Sequence, residues 1–119
     1  MAQKKGFVNE NLEAVLTVEL TNNSQIECVL ETGFNGSFLF PRKFVEDNSM
    51  RFIGQEEVVM VEQNTTLIET ALAKINWMGE NFSIQILVSE NDESLIGTQM
   101  LIDSNLEVDY KNLSVEITK

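Results

Sequence analysis

Three short stretches of the chain hold residue types that can do chemistry. The first is Val29-Leu30-Glu31-Thr32-Gly33-Phe34-Asn35-Gly36, a carboxylate on a glycine-containing loop directly after an apolar strand. The second is Leu95-Ile96-Gly97-Thr98-Gln99-Met100-Leu101, two apolar residues and a glycine opening a short helix. The third is the strand-turn-strand around Val61, Glu62, Gln63 and Asn64, which is placed to fold over a cleft. The chain has no histidine, which excludes His-dependent nucleophilic triads, His-ligated metals and the usual neutral-pH base. Any hydrolysis must therefore run on carboxylates, hydroxyls or lysine.

The other chemically capable residues have plainer readings. Cys28 is the single cysteine, so there is no internal disulfide and no Cys-based zinc site. It falls on the apolar face of its strand, where a thiol packs as a small hydrophobe. The loop Glu90-Asn91-Asp92-Glu93 offers oxygen ligands without calcium-loop spacing and reads as a solvated loop. Neither a metal nor a cofactor is expected. Trp77 sits in a turn and is either a binding aromatic or the packing residue of a hairpin end.

The elements that must position these residues are mostly strands. Ala14, Leu16, Val18 and Leu20 share one face of a strand over 14–20, and Ile26, Cys28 and Leu30 share one face of a strand over 25–30. Thr21-Asn22-Asn23-Ser24 between them is turn chemistry, so the pair reads as a hairpin running into Glu31. A short buried strand follows at Ser37-Phe38-Leu39-Phe40, and Pro41 opens a helix over 42–47. Strands over 56–61 and 65–75 join at Glu62-Gln63-Asn64, and a turn at Trp77-Met78-Gly79-Glu80 leads to a strand over 82–88. A helix over 98–103 and closing strands over 106–109 and 113–118 complete a pattern of about eight strands and two short helices. Such a pattern predicts a closed or strongly twisted antiparallel β domain.

Composition sets outer bounds. A chain of 119 residues fits one domain, spanning 1–119. Hydrophobic residues make up 43% and charged residues 23%, ordinary values for a folded protein. The net charge of −11 repels a phosphate backbone or an anionic lipid surface, so neither nucleic acid nor membrane is expected as a partner. No apolar run suggests a signal peptide or membrane span, which predicts a cytoplasmic protein.

Together the first two stretches give the chain a resemblance to the retropepsin-like aspartic proteases, particularly the small stand-alone bacterial members. That family's signature is an apolar strand, Asp-Thr/Ser-Gly and a second apolar strand, then a flap hairpin, then an apolar-apolar-Gly element before a helix. Leu30-Glu31-Thr32-Gly33-Phe34-Asn35-Gly36 with Leu39-Phe40-Pro41 resembles the first element, and Leu95-Ile96-Gly97 with Met100-Leu101 the last, so that the resemblance implies a domain core over about 13–117. The resemblance implies an all-β, single-lobe, pepsin-like closed barrel acting as a homodimer on an extended peptide or protein. It makes Glu31, Thr32 and Gly33 the catalytic loop. It places Phe34, Asn35, Gly36, Val61, Glu62, Gln63, Asn64, Leu95, Ile96 and Gly97 around the substrate.

The family's triplet begins with Asp, whereas this chain has Glu31. The implied dyad is Glu31 and its symmetry mate, two carboxyls sharing a proton because both cannot ionise at close range. One is then the base toward a bridging water while the other donates to the substrate carbonyl. The extra methylene moves each carboxylate by roughly an ångström, where catalytic placement tolerates about half that. The resemblance also implies that the Thr32 hydroxyl bonds across the dimer axis, and that the final strand, 113–118, joins the partner's termini. The turn at Glu62-Gln63-Asn64 lacks the glycine that related flap tips often carry. Two readings follow: a peptidase homologue of weak or no activity, or a non-enzymatic homodimer that binds peptides or serves only to dimerise.

Overall fold

The computed structural model describes residues 2–59 and 64–119. The chain is mostly β-sheet. Strands β1 (Gln3–Val8), β2 (Ala14–Leu20), β3 (Gln25–Leu30) and β4 (Phe38–Pro41) lead into the helix α1 (Arg42–Asp47). Strands β5 (Arg51–Val59), β6 (Thr65–Trp77), β7 (Glu80–Ser89) and β8 (Leu95–Ile96) precede a 3-10 helix at Thr98–Leu101. Strands β9 (Asn105–Asp109) and β10 (Ser114–Thr118) follow. No described helix is long and apolar enough to cross a membrane.

Period-2 alternation accounts for most of these strands. In β2, Leu16, Val18 and Leu20 are buried, and in β7 Ile86 and Val88 are buried while Gln85 faces out. The β6–β7 hairpin closes on Met78 and Gly79, with φ of 52° and 84°, between the paired Trp77 and Glu80. Two central residues with positive φ match the strand twist of a two-residue hairpin, and the glycine accepts that conformation without strain. Trp77 is buried edge-on to Phe38, with ring centroids 5.7 Å apart, so it packs the hairpin end.

The sheet order is β5-β6-β7-β4-β8-β3-β2-β1-β10-β9. The last residues of β2 also pair with β6, Glu19 opposite Asn76 and Leu20 opposite Ile75, which links the two ends of the run from β6 to β2. Inside lie Leu16, Val18, Phe38, Phe40, Val45, Ala71, Ala73, Ile75, Ile96 and Ile117, all fully buried. Cys28 is among the core residues, and burial pushes its thiol up to about 12.

Several elements differ from the sequence reading. The strand β1 has no counterpart in that reading, and β5 begins at Arg51 rather than Glu56. The second helix is a single 3-10 turn ending at Leu101, because Ile102 leaves the helical conformation at ψ 134°. The final strand, expected in an intersubunit sheet, lies between β1 and β9 of its own chain with both edges paired.

Candidate functional site

The Glu31 loop is built around β8. Strand β8 pairs in parallel with β3, Val29 opposite Leu95 and Leu30 opposite Ile96. Its other edge pairs antiparallel with β4, Phe38 opposite Ile96 and Leu39 opposite Leu95. The chain leaves β3 on one side of β8 and returns as β4 on the other, and the residues between form the loop. Leu95 and Ile96 thus lie beneath the site as its support, with Ile96 fully buried.

Hydrogen bonds fix the loop from both ends. The Glu31 N–H donates to the Ile96 carbonyl at 3.0 Å, and the Phe34 N–H to the Glu31 carbonyl at 3.1 Å. On the far side, the N–H groups of Gly97, Thr98 and Gln99 donate to the carbonyls of Ser37, Phe34 and Gly36 at 2.7, 2.8 and 3.3 Å. The first N–H groups of a helix have no partners inside it, and here the loop supplies them. This clasp needs glycine at Gly97, because a Cβ there would run into the backbone carbonyl of Gly36. The Glu31 carboxylate turns back on its own loop, where Oε1 accepts the Gly33 N–H at 2.9 Å. Glu31, Thr32 and Gly33 are all exposed at the head of the loop.

A cleft of about 650 Å³ opens beside the loop. Gly33, Phe34, Asn35, Gly36 and Ser37 form one wall, and Glu56, Glu57, Val58 and Val59 of β5 form another. Ile84, Gln85 and Leu87 of β7 line it with Gln99. Of the site residues expected from the sequence, the structure brings Gly33, Phe34, Asn35 and Gly36 into this lining. Glu31 and Thr32 sit at its head without lining it, and Leu95, Ile96 and Gly97 act from below. Asn64 is exposed immediately ahead of β6 and outside the cleft lining, while Val61, Glu62 and Gln63 lie outside the described residues. The sequence reading missed the contributions of β5, β7 and Gln99. One signal was available: Leu87 is an apolar residue on the otherwise polar face of its strand.

A second cavity, of about 510 Å³, shares Phe34, Val58 and Leu87 with the first and adds Leu39, Leu67, Glu69, Glu90 and Glu93 among its lining residues. Near it the Arg42 guanidinium ties β5, β6 and the residue just after β7 together. Its Nε donates to Glu90 Oε1 at 2.8 Å and its Nη2 to Glu90 Oε2 at 2.6 Å, and Nη2 also pairs with Glu69. The guanidinium lies 5.4 Å from the centre of the Phe52 ring on β5. Hydrogen bonding to Arg42 holds the Glu90 carboxyl below its usual range. Among the described residues, no group of three acidic or cysteine side chains converges closely enough to hold a metal ion.

Among solved structures, the chain is similar to a retropepsin-like aspartic protease from Rickettsia conorii, with a TM-score of 0.68 over 97% of this chain and 89% of that one. The fold is that of the retropepsin-like aspartic proteases. Sequence identity to the Rickettsia protein is only 14%. The same fold likeness extends to EIAV protease complexed with the inhibitor HBY-793, with 16% identity, a TM-score of 0.63, and coverage of 80% of this chain and 90% of that one. It extends also to the simian foamy virus (mac) protease, with 16% identity, a TM-score of 0.54, and coverage of 74% and 91%. No family model and no curated protein sequence matches the chain. In this retropepsin-like fold, Glu31 heads the loop that follows β3.

Proposed function

We propose that the chain is a retropepsin-like aspartic peptidase homologue of the small stand-alone type, a closed barrel working as a two-fold homodimer. Glu31 and its symmetry mate stand where the family has its aspartate dyad. The observation that carries this reading is the loop itself. A carboxylate accepts the Gly33 N–H at the head of a cleft, on a loop whose backbone carbonyls are fastened by the Gly97–Gln99 clasp. The β2–β6 pairing supports the barrel. The exposed loop, whose Thr32 hydroxyl has no hydrogen-bond partner among the described residues, leaves one chain with half of a two-carboxylate site.

Activity is weak or absent in this reading. A misplacement of about 1 Å lowers a rate on the order of a hundredfold. Two such displacements meet at the dimer axis. One observation favours a second reading, in which the cleft holds extended peptides without cutting them by strand addition. Glu31 Oε1 is already engaged as the acceptor for the Gly33 N–H, a use that stabilises the turn.

Glu31→Asp separates the two. As a peptidase homologue, the variant cleaves a peptide library at least about tenfold faster than wild type, with an acidic optimum. A statine inhibitor suppresses that cleavage because it mimics the tetrahedral intermediate. Sedimentation of both forms at micromolar concentration gives twice the chain mass. Cleavage by wild type that Glu31→Asp abolishes shows a site built for glutamate. A strictly monomeric chain removes the dyad, and an intact dimer with no cleavage by either form leaves the peptide-holding reading.

A further inference from the structure

The two cavities beside the loop share an apolar ridge of Phe34, Val58 and Leu87, so they are neighbouring compartments of one groove. Their walls carry carboxylates of a single sign: Glu56 and Glu57 in one, Glu69, Glu90 and Glu93 in the other. Among the described residues, no lysine or arginine lines either compartment. The nearby Arg42 is already committed to Glu69 and Glu90. Glu56, Glu57 and Glu93 make no ion pair among the described residues.

These carboxylates are divided between the two compartments, and no described trio can hold a metal ion. Their division between two compartments suits separate cationic groups, one on each side of the ridge. Lysine and arginine fit such a groove chemically, since the aliphatic stem lies on apolar surface while the charged head reaches the rim. An extended peptide also alternates its side chains, which brings a basic, an apolar and a basic residue past successive positions.

Resting on the reading of this groove as a peptide cleft, we infer that it selects cationic peptides, those with lysine or arginine on both sides of an apolar residue seated on the Phe34–Val58–Leu87 ridge. Glu56, on the same face of β5 as Val58, and Glu93 across the ridge are specificity-determining residues, and Glu57 at the adjoining position adds its charge at the rim. Acidic peptides are excluded by the same field.

Three fluorescein-labelled octapeptides test this, identical at their apolar centre and bearing lysine, norleucine or glutamate at the flanking positions. Fluorescence anisotropy at about 20 mM salt should show the lysine peptide binding at least about tenfold tighter than the norleucine peptide, with the glutamate peptide weakest. At about 500 mM salt, where screening shortens the reach of charge to a few ångströms, the preference should fall below about threefold. The double variant Glu56→Gln/Glu57→Gln should lower the preference at least threefold, as expected for two exposed charge contacts of modest strength. Glu10→Gln/Glu107→Gln, two exposed carboxylates away from the groove, should leave it in place. Equal binding of the lysine and norleucine peptides overturns the charge selection while the peptide cleft stands. So does a preference that the distant pair removes as fully as the cleft pair. Failure of all three peptides to bind removes the peptide cleft and this inference with it.

Discussion

Replacing Gly97 with alanine attacks the clasp beneath the Glu31 loop. The φ of −94° at Gly97 is open to any residue, so the effect comes from space alone. The new Cβ would run into the Gly36 carbonyl oxygen and lie 2.7 Å from the carbonyl carbon, with the Phe34 ring at 2.9 Å. A backbone carbonyl cannot rotate aside, so the loop must retreat. Overpacking of this kind costs about 1–3 kcal/mol. Retreat also stretches the bonds from Gly97 and Thr98 at 2.7 and 2.8 Å. Losing both adds about 1–3 kcal/mol. The loss is therefore about 2–6 kcal/mol, against a total stability of about 5–15 kcal/mol for a domain.

Gly33→Ala provides the contrast. There the Cβ meets only the Glu31 Oε1 tip at 3.1 Å, a flexible carboxylate that can swing away. Its cost to the single subunit should stay below about 1 kcal/mol. Urea unfolding followed by the fluorescence of Trp77, the one tryptophan and a buried one, measures both variants. The Gly97→Ala midpoint should fall by about 1–3 M, using a denaturant slope of about 2 kcal/mol per M. A Gly97→Ala loss under about 1 kcal/mol, or a Gly33→Ala loss as large as that of Gly97→Ala, would refute the clasp.

Two further outcomes follow from the titrating groups. Cys28, with its thiol pushed up to about 12 from an ordinary 9.0, should be alkylated by iodoacetamide at pH 8 about a thousandfold more slowly than a free thiol, and at the free rate once urea unfolds the chain. Native labelling at the free rate would place Cys28 outside the core. Arg42→Gln should lower the melting temperature at pH 7 by an amount that shrinks in acid. The Glu90 carboxyl is depressed below its ordinary 4.5 in the folded chain, so its stabilisation is complete above that value and is lost as pH falls through the folded value. A melting difference that persists unchanged at about pH 2.5 would show that Arg42 acts through packing on Phe52 instead.

How much the sequence disclosed depended on whether an element had an inside and an outside. Ala14–Leu20 and Gln25–Leu30 declared themselves by alternation, and their bounds agree with the folded strands. Gln3–Val8 did not, because Lys4 occupies an inward position. It keeps its ammonium 5.5 Å from the centre of the Trp77 ring, so the strand reads as polar. The first half of β5 was silent for the opposite reason, since every residue from Arg51 to Glu57 is exposed and no buried face marks it. The loop at the site was legible because its turn and glycines are local. The cleft walls were not, since Glu56 and Leu87 meet only through pairings across the sheet and Gln99 joins them from the distant 3-10 helix.

The position of β10 bears on the order in which the molecule can be assembled. Gln3 pairs with Thr118, and the Lys119 N–H reaches the Ala2 carbonyl at 3.0 Å. A ribosome delivers β1 first and its main partner last of all these elements. Until then β1 has only its two-residue register with β2, Phe7 opposite Val15 and Val8 opposite Ala14. Closing so long a loop is entropically expensive and slow. Pairing of β1 with β10 therefore waits for the last strand, and until then a nascent chain carries an open edge along most of β1. A trigger of late refolding, or of capture by a neighbouring nascent copy, would act at that edge before it touched the Glu31 loop.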